Sequence, residues 1–155
     1  MIKEKQIIEV QKSWGEGIIK IGSLKDNRSE CENYANKFID ELYAFNSGEV
    51  LFKPTRCQTE QFRQTKPKAL SYFISGKNRA CMEDKGFALK PWTNVRFENA
   101  GLILEKSRAF CMGNYFFTDT KGNEIKAEFT FGYTLIGEKL KIDLHHSSFP
   151  YSNNY

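Results

Sequence analysis

The residues best able to do chemistry stand together near the C-terminal end, in the run His145-His146-Ser147-Ser148, followed by Phe149-Pro150-Tyr151. These are the only two histidines in the chain. An imidazole next to a hydroxyl can accept, hold or orient a proton near neutral pH. The run closes a strand-like segment in which Ile142, Leu144, His146 and Ser148 share one parity, and Asp143, His145 and Ser147 the other. Successive strand side chains point to opposite faces, so the apolar parity predicts that His146 and Ser148 face the core. A buried polar group without a partner costs about 1–3 kcal/mol, so this pair needs either partners or a purpose. A polar strand end with its hydrogen bonds satisfied is the purely structural reading of the same run.

A second candidate lies in the segment from Phe52 to Thr65, where Thr55, Arg56, Thr59, Arg63 and Thr65 cluster after an apolar piece. These donors suit a small oxyanion, or else a solvated connector. Tyr72 sits among apolar residues in ALSYFISG and is either a site hydroxyl or an ordinary core aromatic. A metal site fits poorly, because adjacent histidines on a strand diverge and no third ligand stands at a telling spacing. Cysteines at positions 31, 57, 81 and 111 match no zinc or redox pattern, and no local signature marks a Cys-His nucleophile. An enolising site would need an inward carboxylate, and Asp143 has the outward parity.

The elements that must position these groups follow from periodicity. Ile7, Val10, Trp14, Ile18 and Ile21 make one helical stripe between about Lys3 and Gly22. A second helix is predicted from a Ser29/Glu32 capping box, with Cys31, Tyr34, Ala35, Phe38, Ile39, Leu42 and Tyr43 as its apolar face, ending near Asn46-Ser47-Gly48. Val50 to Pro54 reads as a short strand, and Thr59 to Ser75 as a broken helix whose second half starts at Pro67. From Phe87 the period becomes two. A strand near 109–117 is apolar on both faces, and a second has Ile125, Ala127, Phe129, Phe131, Tyr133 and Leu135 on one face. With the segment that ends in Ser148 they make a three-stranded antiparallel meander covered by helices. The fold class is α+β, with N-terminal helices packed on a curved, mainly antiparallel sheet in one domain spanning residues 1–155. The apolar outer face predicts a homodimer formed through it.

Composition narrows the function classes. A formal charge of +4 with no basic run does not indicate nucleic-acid binding. The N-terminus lacks the apolar stretch of a signal peptide, and no run approaches the roughly 18 apolar residues of a spanning helix. Cysteines that serve as small core residues fit a reducing compartment, so a cytoplasmic protein with no membrane partner is expected.

The segments FKPTRC, FRQT, KALSYFISG, EDKGFALKPWTNVRFENAG, GNYFFTD and LHHSSFPY together resemble the iota-class carbonic anhydrases. The resemblance runs from Phe52 to Tyr151, about two thirds of the chain. It implies a cone-shaped fold like the calcium/calmodulin-dependent kinase II association domain and the wider nuclear-transport-factor-2-like superfamily. It also implies hydration of carbon dioxide to bicarbonate in a hydroxyl-lined pocket, with no metal and no cofactor. By motif, the threonine of that pocket falls on Thr55, the tyrosine on Tyr72 and the serine on Ser148, with His146 as companion and proton shuttle. Tyr133 competes with Tyr72 for the tyrosine. The rival readings are a non-catalytic association domain whose Arg56 and Arg96 clamp a small carboxylate, and an isomerase or dehydratase.

Overall fold

The computed structural model describes residues 1–153. Helix α1 (Glu4–Ser23) and helix α2 (Arg28–Leu42) come first, then strand β1 (Leu51–Lys53) and helix α3 (Lys66–Ile74). A 3-10 turn (Phe87–Leu89) leads into strands β2 (Trp92–Leu104), β3 (Arg108–Asp119), β4 (Glu124–Ile136) and β5 (Lys139–Ser148). The sheet order is β1-β5-β4-β3-β2. The four long strands pair antiparallel, and β1 adds to β5 in parallel. The expected meander therefore carries one further long strand, β2, on the β3 side and a short parallel strand on the other.

Ile7, Trp14, Ile18 and Ile21 of α1 are buried, as their spacing predicts. Gly17 lies within this helix because α2 crosses there: a Cβ on it would stand 2.3 Å from the Phe38 ring. The cap of α2 is Asn27 and not Ser29; the Asn27 side chain accepts from the Glu30 N–H at 3.2 Å. This helix ends at Leu42, short of the Asn46 breaker cluster. Tyr43 is already extended, and the Ala44 N–H donates to the Ile142 carbonyl at 2.9 Å, drawing the chain onto β5.

Helix α3 begins as predicted, with Thr65 as cap and Pro67 in the first turn. The preceding stretch from Thr59 is not helical, because its backbone donors are taken elsewhere. Glu83 accepts from the N–H groups of Gln58, Thr59 and Glu60 at 2.6–2.8 Å, and the Arg63 N–H donates to the Phe52 carbonyl at 2.7 Å.

The inner face of the sheet is aromatic: Tyr115, Phe117, Phe129, Phe131 and Tyr133 are all buried under the helices. Its outer face leaves Ile103 and Met112 about 60% exposed. No helix among the described residues is long and apolar enough to cross a membrane.

Candidate functional site

Strand β5 begins with the predicted parity and ends with the opposite one. Leu140 and Ile142 are buried, but beyond them it is His145 and Ser147 that are buried, while His146 is exposed and Ser148 half-exposed. The pairing with β4 explains this. Ile142 faces Tyr133 and Leu144 faces Gly132, so Asp143 is an extra residue in a β-bulge. A bulge adds one residue to one strand and inverts every side chain after it. Gly132 makes room for it, since a Cβ there would lie 2.8 Å from the Leu144 Cβ. Asp143 is held at the bulge by both guanidinium nitrogens of Arg108, at 2.6 and 3.0 Å. The prediction that His146 and Ser148 face the core is therefore overturned, and His145 and Ser147 take those positions.

These two side chains sit in a continuous hydrogen-bonded chain. The Trp14 indole N–H donates to the Tyr43 hydroxyl at 3.0 Å, and that hydroxyl lies 2.9 Å from His145 Nδ1. His145 Nε2 is 3.2 Å from the Tyr115 hydroxyl, which donates to Ser147 Oγ at 2.5 Å. Ser147 Oγ is in turn hydrogen-bonded to Thr55 Oγ1. Five elements meet here: α1 supplies Trp14, the α2 terminus Tyr43, β3 Tyr115, β5 His145 and Ser147, and the turn after β1 Thr55. Thr55 reaches the chain because β1 is paired in parallel register beside β5, with Phe52 opposite His145 and Lys53 opposite His146. Lys53 adds a tie across the two strands through Nζ, which donates to the Ser147 carbonyl at 2.8 Å.

The surroundings are dry. The Phe52 ring stacks on His145 with centroids 4.8 Å apart and planes 16° apart, and the Phe131 ring stands 4.2 Å away. Burial, with a smaller push from His146, holds the His145 imidazole well below the usual histidine range, so it is neutral. Burial pushes the Tyr72 and Tyr115 phenols up; hydrogen bonds with the Arg56 N–H and then Thr55 pull Tyr72 back in part, and those with Ser147 and then Thr55 do the same for Tyr115. All the groups in the chain are therefore uncharged near neutral pH.

Tyr72 stands beside this cluster. Its hydroxyl accepts from the Arg56 N–H at 3.4 Å, and its ring stacks on Phe87 with planes 14° apart. A cavity of about 510 Å³ opens against Tyr72 and Arg56, rimmed by Glu83, Lys85, Lys90 and Trp92. A larger groove of about 680 Å³, between α2, α3 and residues 76–80, touches none of the cluster. Tyr133 is wholly buried, and its hydroxyl has no hydrogen-bond partner among the described residues. Its neighbours are Cys111 and Gln11, and Gln11 is itself bonded to Asn99 at 2.8 Å, a cluster distinct from the Thr55–Ser147 one.

The arginine pair expected of a carboxylate clamp is not assembled. Arg56 is at the cavity, but Arg96 lies on the outer face, hydrogen-bonded to Glu98 and Glu124 and 3.8 Å over the Phe116 ring. One buried carboxylate escaped the sequence reading. Asp84 rims the cavity, yet it is held by Arg63 at 2.6 and 2.7 Å and by the Ser71 hydroxyl at 2.5 Å, and so is committed. Among the described residues no three His, Cys, Asp or Glu side chains are grouped so as to hold a metal ion.

Trp14, Tyr43, Tyr115, His145 and Ser147 were not singled out as site residues from sequence. For Tyr115 a signal existed, since it shares the inward parity of Ala109, Cys111 and Phe117. For His145 and Ser147 the signal was Gly132, whose missing side chain allows the bulge. Nothing local marks Trp14 or Tyr43.

Comparison with known proteins gives the family and the fold. Residues 5–149 match the family model described as metal-independent carbonic anhydrase, so the match also takes in α1 and α2. A metal-independent carbonic anhydrase of a Nostoc species is 38% identical over 154 residues, covering 97% of this chain and 75% of that protein. The crystal structure of a cyanobacterial iota-carbonic anhydrase complexed with bicarbonate superposes with a TM-score of 0.93 at 36% identity, covering 98% of this chain and 94% of that one. A putative calcium/calmodulin-dependent kinase II association domain from Xanthomonas campestris superposes at 0.66 with 19% identity, over 97% of this chain and 89% of that one, a likeness of fold alone.

Proposed function

The chain belongs to the metal-independent carbonic anhydrase family, and we propose that it hydrates carbon dioxide to bicarbonate at the Thr55–Ser147–Tyr115–Tyr72 hydroxyl cluster, without a metal ion. The observation that carries this reading is the convergence of uncharged hydroxyls on one spot in an aromatic core, next to a cavity. Thr55 and Tyr72 keep the roles the family resemblance implies. Ser147 takes the place expected of Ser148, and His146, on the outer face, has no part. His145 replaces it as an orienting group rather than a shuttle, because burial keeps it neutral.

Bulk water has a pKa of about 15.7, so an unassisted water is a poor nucleophile. Hydroxyls solve this differently from a metal, since each can accept one proton while donating another. As the water oxygen bonds to the carbon of carbon dioxide, its proton passes to Thr55 Oγ1. The proton already on Thr55 passes to a carbon dioxide oxygen. The product, carbonic acid, loses a proton to solvent and leaves as bicarbonate. Tyr72 and Ser147 hold the reacting oxygens, and the dry surroundings strengthen each of these bonds. Arg56, Lys85 and Lys90 at the cavity rim favour the anion's approach and departure.

Stopped-flow carbon dioxide hydration on chelator-treated protein of verified metal content tests this. Activity should survive the treatment. Activity that returns only with added manganese or zinc, or a Ser147→Ala variant as fast as wild type, would overturn the hydroxyl mechanism.

The same reading includes a homodimer formed through the outer sheet face, supported by exposed Ile103 and Met112 beside half-buried Phe110 and Phe116. Sedimentation of Met112→Lys against wild type checks it. Four free cysteines support a reducing compartment such as the cytoplasm.

A further inference from the structure

The hydrogen-bond chain ends, deep in the core, in a group that can only donate. An indole N–H has no acceptor capacity, and Trp14 Nε1 spends its proton on the Tyr43 hydroxyl at 3.0 Å. Among the described residues that hydroxyl has one other hydrogen-bond neighbour, His145 Nδ1, at 2.9 Å. The Tyr43 oxygen already accepts from Trp14, so its own proton can go only to Nδ1. The geometry points to Trp14, acting through Tyr43, as the group that fixes His145 in its Nε2–H tautomer and makes every later hydroxyl a donor toward Thr55.

The rest follows bond by bond. A neutral imidazole with Nδ1 accepting carries its proton on Nε2, and that N–H donates to the Tyr115 oxygen. Tyr115 then donates to Ser147 Oγ. Ser147, having accepted, turns its proton to Thr55 Oγ1. Thr55 is thus the last member and the one whose proton is not committed inside the core. That single proton can go to the Tyr72 oxygen or, once substrate is bound, to the substrate. The reverse order would put Nδ1–H and the indole N–H on one Tyr43 oxygen and leave the phenol proton buried without an acceptor. At about 1–3 kcal/mol, that penalty makes the reverse order at least about fivefold rarer. Burial reinforces the choice by keeping the Tyr43 phenol protonated and the imidazole neutral.

This rests on the proposed hydration reaction for its catalytic meaning, though the tautomer itself does not. Trp14 and Tyr43 are positioning residues: both are buried and neither lines the cavity beside Tyr72, and they set which hydroxyl supplies the proton.

The test is ¹⁵N–¹H correlation of the imidazole nitrogens, with the His146 signals identified by their loss in His146→Ala. In wild type His145 should show a protonated Nε2 and a bare Nδ1. In Tyr43→Phe, which removes one oxygen, both tautomers should appear and kcat should fall about tenfold with KM nearly constant. A wild-type His145 carrying its proton on Nδ1 would overturn the proposal. So would a Tyr43→Phe protein with the wild-type tautomer and rate. Trp14→Phe should mix the tautomers too, and where it fails to fold the wild-type spectrum and Tyr43→Phe still decide. If wild type shows the Nε2–H form but no hydration of carbon dioxide, the proposed function fails while the tautomer assignment stands.

Discussion

Two buried polar clusters flank Tyr72, and they are built on opposite principles. On one side Arg63 and Asp84, neither side chain exposed at all, meet in a bidentate ion pair. Ser71 and the Glu60 and Lys68 carbonyls fill the remaining sites. On the other side six uncharged groups run from Trp14 to Thr55. The ion pair is closed, since each partner's charge is committed to the other. It fastens the segment between β1 and α3 to the loop around residue 84. The neutral chain is open, because its last hydroxyl still has a proton to give. Charge here makes an anchor. Its absence makes a device that can move a proton without burying an ion.

Breaking the anchor should have the largest effect. Arg63→Met leaves Asp84 buried without its partner, and thermal unfolding should show a loss of about 3–5 kcal/mol. Arg63→Met with Asp84→Leu should recover much of that, because no lone charge remains. Next comes the open end of the chain. Thr55→Val and Ser147→Ala should each lower kcat by about 10²–10³-fold, with unfolding shifted by only about 1 kcal/mol. The reverse pattern, unfolding without a specific loss of rate, would make the chain a second anchor.

The neutral chain also has a signature in pH. His145 is held well below its ordinary value, whereas an unfolded chain would protonate it near 6.5. The unfolded state then binds the extra proton, so stability is complete above about pH 6.5 and declines as pH falls below it. Between pH 7.5 and 5 the loss should reach about 2 kcal/mol, above the range in which the carboxylates titrate. Urea midpoints measured at the two pH values check this, and His145→Asn should flatten the difference. The smallest effect is expected on the outer face: His146→Ala and Ser148→Ala should keep the wild-type rate within about twofold. A large loss in either would mean that the bulge at Asp143 is not the working arrangement.

Much of the scaffold was legible in the sequence. The α1 stripe, the Pro67 start of α3 and the alternation along β3 and β4 are local signals, and local packing upholds them. What failed did so where a distant partner overrode a local signal. Glu83, some two dozen residues away in the chain, takes the donors that a helix from Thr59 would have needed. The Ala44–Ile142 contact ends α2 before its breaker cluster. The residue types of the candidate cluster were legible, but the parity that turned His146 and Ser148 inward was not upheld. Thr55 lies beside Ser147 and Tyr72 beside the cavity, while Tyr43 and Trp14 became relevant only once three elements had brought them onto His145.

The sequence by itself determined that one histidine and one serine of the HHSS run would point inward, and the family resemblance put Thr55 with them. Alternation guarantees that one of each pair points inward. Which one was decided only in the tertiary structure, by a single extra residue, Asp143, held by Arg108 opposite a glycine. Strand parity has a period of two, so one inserted residue inverts everything after it. Whether that residue is absorbed depends on the space left by the neighbouring strand, which the sequence of β5 does not contain.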